Sequence, residues 1–307
     1  MTAESAAIEV RSVSRWYGDV VAVNDISFTV GPGITGLLGP NGAGKSTLLH
    51  MISGFLRPSA GAVEVHGEAP WHNPDLYRRV GLVPEREAIY PFLGARELAL
   101  ASARLHGLPD PPEAARRAVA LVELEDAQDR PMGGYSKGMR QRAKIAAALV
   151  HDPEILILDE PFNGTDPRQR LQLMEMLRRR AAAGHTILFS SHILEEVERL
   201  AENVLVVVNG RLAASGHFHE IRRLMTDRPH AFELRSSDNR ALAAALVGLP
   251  HVSAVELRDG RLDVRTTDFG AFTAQIAHTA RACSVTLHEL RPADESLESV
   301  FSYLVQS

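Results

Sequence analysis

Cysteine is almost absent from this chain: 307 residues contain one, Cys283. A single thiol excludes an intrachain disulfide and a thiolate metal cluster, and it fits a reducing compartment. Long apolar runs are missing too. The strongest, Val204 to Val208 and Ile155 to Leu158, fall far short of the ~20 residues of a spanning helix and suit buried strands. Excess positive charge is also lacking, with 33 Lys and Arg against 38 Asp and Glu and a net charge of −5. No overall field draws the chain to nucleic acid or anionic lipid, and no nucleic-acid partner is expected. Met1 to Val10 carries Glu4 and no basic cluster ahead of a long apolar core, so it does not read as a secretory signal. The chain is expected to stay in the cytoplasm, with any membrane role borrowed from a partner.

What is present is ordinary for a globular protein: 45% hydrophobic and 23% charged residues, in a length suited to one large domain and a small one. Ile8 to Val30 reads as two strands around the turn Tyr17-Gly18-Asp19. Ile34 to Leu38 reads as a buried strand, followed by a glycine-rich loop and a helix from Ser46. From about Arg86 to Val150 the spacing predicts a helical subdomain with a proline-rich interruption at Pro109 to Pro112. Ile155 to Leu158, Thr186 to Ser190 and Val204 to Val208 then predict a parallel sheet covered on both faces. Asn209-Gly210 signals a hairpin into Arg211 to Ser215. Leu224 to His230 reads as a linker. Beyond it the order is strand, helix, hairpin turned at Asp259-Gly260, helix Phe269 to Ala282 and strand Ser284 to Leu290, with a closing helix Ser296 to Val305. This βαββαβ order predicts a ferredoxin-like α+β module over 231–307.

Gly39-Pro40-Asn41-Gly42-Ala43-Gly44-Lys45-Ser46-Thr47 fits G-x-x-x-x-G-K-[ST]. Glycines let successive N–H groups turn inward around a phosphate, and the positive end of the following helix adds to the anion site. Lys45 can bridge β- and γ-phosphates and the Ser46 hydroxyl can ligate Mg²⁺. Ile155 to Leu158 then ends in Asp159-Glu160-Pro161. As strand residues the two acids point to opposite sides, which suits Asp159 to the Mg²⁺ shell and Glu160 to polarising the attacking water as general base. ATP and Mg²⁺ are the ligands these motifs imply.

With these motifs in place, residues 8–225 resemble the ATP-binding-cassette (ABC) ATPases, and 1–225 is read as that domain. The resemblance implies an α/β P-loop cassette with a mixed sheet and a helical subdomain over about 86–150. Gly134 to Arg142 is similar to the family signature. Through it, Ser136 and Gly138 would reach the γ-phosphate held by a second copy of the chain or a homologous ATPase. The segment departs from the commonest Leu-Ser-Gly-Gly-Gln form at Tyr135, Lys137 and Met139, a variant similar to the branch serving exporters of drugs, antibiotics, lipids and polysaccharides. Ser136 is also a good helix cap.

The resemblance assigns Tyr17 to adenine stacking, with core packing beside its turn as the other reading. It assigns His192 to γ-phosphate contact, and Asn163-Gly164-Thr165-Asp166 to the loop linking two active sites. Glu85 stands where the family usually has glutamine; it keeps the capacity to ligate Mg²⁺ and accept from water and loses the amide donor. Tyr90, Pro91 and Phe92 are candidates for contact with a polytopic membrane permease. The tail Ser296 to Phe301 is similar to that of exporter-type ATPases. The expectation is therefore a dimerising exporter ATPase, peripheral on the inner face of the membrane; the alternative is a soluble ABC ATPase acting on ribosomes or DNA. Arg178-Arg179-Arg180 is read as a solvated helix end.

Overall fold

The computed structural model describes residues 6–86, 89–217, 229–258 and 260–292. The linker residues 224–228 with the boundary at Met225, Asp259 of the hairpin turn, the closing helix 296–305 and the tail 296–301 lie outside the described residues. The chain divides into two units, Met1–Ser215 and Gly216–Ser307, each with its own core.

In the first unit, strands β1 (Ile8–Tyr17), β2 (Val20–Val30) and β4 (Ala60–Val65) form a small antiparallel sheet in the order β2-β1-β4. The central sheet is built from β3 (Gly33–Leu38), β5 (Val80–Val83), β6 (Ile155–Leu158), β7 (Thr186–Ser191), β8 (Asn203–Val208) and β9 (Arg211–Gly216). Its order is β5-β6-β7-β3-β8-β9, and the pairs from β5 to β8 run parallel. Every residue of β6 and β7 is buried, which is why these strands read as continuous apolar runs rather than alternating ones. The return into β9 passes through Asn209 and Gly210 at φ 50 and 74, the two left-handed residues of a tight hairpin turn.

Register decides where chemistry collects. Val83 pairs with Leu158, Leu158 with Phe189, and Leu38 with Ser191. The carboxyl ends of β5, β6, β7 and β3 therefore emerge along one edge of the sheet, where parallel α/β sheets hold ligands.

Helix α1 (Lys45–Ile52) leaves that edge, and α2 (Ala95–Leu105), α3 (Pro111–Leu121) and α4 (Lys137–Leu149) form the helical segment. Ala95, Ala99 and Ala103, four apart and fully buried, form the α2 stripe that lets its neighbours approach closely. The prolines at 111 and 112 start α3 instead of interrupting one: Asp110 accepts from the Glu113 N–H at 3.1 Å. Proline in the first turn gives up only an N–H that has no intrahelical partner. Helix α5 (Pro167–Ala182) ends in the three arginines and α6 (Leu194–Leu200) follows β7. Arg180 is not solvated as expected. Its guanidinium donates to Asp152 at 2.7 Å and its side chain is 13% exposed, so it ties the end of α5 to the loop before β6.

The second unit has β10 (His230–Ser236), α7 (Asn239–Val247), β11 (Val252–Arg258), β12 (Arg261–Thr266), α8 (Phe269–Ala282) and β13 (Leu287–Pro292). The strand order is β11-β12-β10-β13 with every neighbouring pair antiparallel. Phe232, Leu234, Leu262 and Val264 point to the core with Leu242, Phe272 and Ile276 of the two helices, while Glu233, Asp263 and Glu256 stand in register across the strands. Asp238 and Asp268 cap the helices through Ala241 and Ala271 N–H groups at 3.0 and 2.9 Å.

Candidate active site

The loop after β3 is shaped by how closely other backbone approaches it. A Cβ on Gly39 would stand 2.3 Å from the Val207 carbonyl oxygen, and one on Gly44 would stand 2.4 Å from that of Ala22. Gly44 also has φ 101, a conformation glycine alone adopts readily. Since Gly44 offers no side chain, no side-chain cap fills the anion site at the first turn of α1. Asn41 and Gly42 are exposed at the tip, while Pro40, Ser46 and Thr47 are half-buried and Ala43 is buried. Lys45 is buried, and its ammonium donates to the Gly39 and Pro40 carbonyls at 2.7 and 3.2 Å.

Strand β6 stops at Leu158, so Asp159 and Glu160 are not alternating strand residues. Glu160 is left-handed, at φ 49. A buried hydroxyl links the Asp159 carboxylate to the Glu160 backbone. Ser190 Oγ donates to Asp159 Oδ1 at 2.5 Å and accepts from the Glu160 N–H at 2.9 Å. Glu160 then faces two cationic or titratable groups: Lys45 Nζ lies 3.5 Å from Oε1 and His192 Nδ1 lies 2.9 Å from Oε2. Both Lys45 and Glu160 are about as buried as core residues, so removing either leaves an uncompensated charge. Phe162, two residues on, packs edge to face on Phe189 with centroids 5.8 Å apart. This anchor fixes the turn that carries Glu160.

The donors fit a magnesium nucleotide. A bare helix start and a mobile-stemmed lysine suit phosphate, and the Ser46 hydroxyl with the Asp159 carboxylate are hard oxygen donors of the kind Mg²⁺ takes.

Other candidates stand apart from this cluster. Tyr17 is 48% exposed, which rules out the core-packing reading; the Arg15 guanidinium lies 4.9 Å from its ring centre. Its hairpin leads to Ala22, which abuts Gly44. Ser136 is exposed and caps α4 by accepting from the Met139 N–H at 3.2 Å. Gly138 is buried, and a Cβ there would meet Gln169 Oε1 at 2.5 Å and the Gly164 carbonyl at 3.1 Å. Tyr135 explains one departure from the commonest signature, since its hydroxyl donates to the Ala127 carbonyl at 2.6 Å. Thr165 donates to the Phe162 carbonyl at 2.7 Å and Asp166 caps α5 through the Gln169 N–H at 2.8 Å. Glu85 is an exposed residue just after β5.

Two residues of this neighbourhood escaped the sequence reading. Ser190 looked like the last residue of an apolar strand, although a serine facing an acidic strand end is a signal. Glu196, in the first turn of α6, is 4% exposed. It accepts from Ser191 Oγ at 2.7 Å and lies 3.5 Å from the Arg170 guanidinium, tying the loop of His192 to α5. Burial pushes its carboxyl above the ordinary range.

Beside β5 a groove of about 450 Å³ opens between Phe55, Tyr77, Leu82, Leu98 and Lys144. At its wall His106 and His151 stack at 3.7 Å with planes 9° apart. Burial, then the His106 charge, pushes His151 down to about 4, and burial also lowers His106. Tyr90 and Phe92 are 58% and 72% exposed, with ring centres 6.0 Å apart. Among the described residues no helix is long and apolar enough to cross a membrane.

Comparison with known proteins places residues 23–163 under a family model described as ABC transporter. The Nod factor export ATP-binding protein I of Burkholderia orbicola is 41% identical over 222 residues, covering 70% of this chain and 72% of that protein. Its counterpart from Ralstonia nicotianae is 39% identical, covering 70% and 68%. A solved structure of an ATP-binding subunit of an ABC transporter matches with a TM-score of 0.65 at 33% identity, covering 71% of this chain and 92% of that one.

Proposed function

The chain belongs to the ABC transporter family as an ATP-binding ATPase subunit, and from that premise we propose that it powers an exporter. Two copies, or one copy and a homologous ATPase, close over two MgATP and drive a separate polytopic permease from the inner face of the membrane. The cargo belongs to the drug, lipid, antibiotic or polysaccharide class; the kinship with Nod factor export proteins supports export. Residues 1–225 form the ATPase domain, with 86–150 as its helical subdomain, and 231–307 form a ferredoxin-like accessory domain. The groove beside β5, with Tyr90, Pro91 and Phe92 at the surface, is the permease-facing side.

One observation carries the reading: the carboxylate of Glu160 sits between the phosphate-loop lysine and His192. ATP lies in the loop from Gly39 to Thr47, with Tyr17 against adenine. Lys45 exchanges the Gly39 and Pro40 carbonyls for β- and γ-phosphate oxygens. Glu160 accepts a proton from water as its oxygen attacks the γ-phosphorus; the bond to the β-bridging oxygen breaks, giving ADP and phosphate. His192 holds Glu160 from one side and reaches the γ-phosphate from the other. Ser46 and Asp159 would hold Mg²⁺, with Glu85 as a further oxygen ligand brought in from its loop, and the ion would supply charge neutralisation of the phosphates. Ser136 and Gly138 of the partner copy complete the γ-phosphate site.

The test is recovery of the tagged chain from membranes of its source in mild detergent. A polytopic membrane protein in near-equal amount supports the exporter reading. Ribosomal or DNA-repair proteins alone overturn it in favour of a soluble ATPase.

A further inference from the structure

Lys144 lies in the middle of α4 and is buried. Its ammonium donates to three consecutive carbonyls: Pro84 at 2.7 Å, Glu85 at 3.3 Å and Arg86 at 3.2 Å. An ammonium has three N–H donors and no acceptor, so one side chain closes on three successive peptide units. Three carbonyl dipoles converging on one partly buried point repel each other unless a cation sits at their focus. The lysine thus determines the backbone path on which Glu85 stands, while the Glu85 side chain itself stays exposed.

We propose that Lys144 is a positioning residue for ATP hydrolysis: it fixes the Glu85 segment and makes the placement of Glu85 depend on the position of α4. The proposal rests on the reading of Glu85 as a Mg²⁺ and water residue. Helix α4 begins at the Ser136 cap, so the element that presents Ser136 to a partner copy also grips the Glu85 backbone. Lys144 also lines the groove with Pro84, Leu82 and Leu98.

The experiment uses the full chain and four proteins: wild type, Lys144→Met, Glu85→Ala and the double variant. Turnover at saturating ATP is followed against Mg²⁺ concentration, and affinity for a fluorescent ATP analogue serves as the folding control. Lys144→Met keeps the side chain's volume; it is expected to bind the analogue as wild type does, to lose up to about 100-fold in kcat, the order of effect a group misplaced by about 1 Å produces, and to need more Mg²⁺ for half-maximal rate. The double variant is expected to be no slower than the slower single one, since both act through one residue. If Lys144→Met matches wild type while Glu85→Ala is impaired, or if their effects multiply, the clamp is overturned and Glu85 stands. If Glu85→Ala itself matches wild type, the reading of Glu85 fails and takes the proposal with it. Should Lys144→Met not bind the analogue, Lys144→Gln, which retains an amide donor, is judged by the same outcomes.

Discussion

His192 Nδ1 lies 2.9 Å from Glu160 Oε2, a contact that joins the loop after β7 to the turn after β6. It leaves Glu160 held on both oxygens, by the histidine on one and by Lys45 at 3.5 Å on the other. A carboxylate held in this way is oriented before substrate arrives.

Glu160→Gln preserves the shape and removes the base. ATP turnover is expected to fall at least about 100-fold while ATP binding persists, so the variant accumulates as an ATP-bound dimer on light scattering. Wild-type turnover would refute the general-base assignment.

Ser190→Ala removes the hydroxyl shared by Asp159 and Glu160. Two buried polar groups lose a partner, at about 1–3 kcal/mol for each orphaned group, read by denaturant unfolding of the first unit. Turnover should drop with stability, because the left-handed Glu160 backbone loses its acceptor. A variant that loses stability but keeps full kcat would show that the hydroxyl serves folding alone.

Gly44→Ala places a methyl 2.4 Å from the Ala22 carbonyl and demands φ 101 of alanine. The backbone strain alone is about 1–3 kcal/mol. Nucleotide affinity is expected to collapse, whereas Gly42→Ala, strained at φ 82 but with open space around its Cβ position, should retain more of it. Equal losses in both would argue against backbone approach as the cause at Gly44.

His151 is neutral in the fold, pushed from 6.5 to about 4 by burial, with His106 and Arg180 also opposing its charge and Asp152 and the Val80 carbonyl favouring it. The unfolded chain binds the proton first, so this contribution to stability is complete above pH 6.5 and is lost as pH falls toward 4. Unfolding of wild type across that window should be steeper in pH than that of His151→Gln. Parallel curves would place the acid sensitivity elsewhere.

Much of the phosphate loop was legible because its chemistry requires specific residues: only glycine fits where Val207 and Ala22 crowd the backbone. The sheet was legible because burial on both faces erases alternation, as in β6 and β7. The backbone of Glu160 was not, since nothing in Leu-Asp-Glu-Pro distinguishes a strand end from a left-handed turn stabilised by Ser190 on another strand. The break at Pro109 to Pro112 was legible as the gap between α2 and α3, but spacing alone did not show that Pro111 and Pro112 belong to the first turn of α3, because proline breaks a helix in its middle and starts one at its edge. Lys144 and Glu196 were hidden for a common reason. A charged residue on an amphipathic helix normally faces water, and only the fold shows that the Lys144 side chain meets three carbonyls and that Glu196 lies under Arg170.

Gly138 and Gly164 meet where neither has a side chain, with the Lys137 stem laid across Gly164 and Gln169 closing the other side. A joint of this kind has little slack. A shear of α4 is passed to the start of α5 across this backbone approach, where Lys137 and Gln169 are the side chains that can give, so a single methyl at 138 would work like a shim, altering the timing between the two segments before it altered the affinity of either.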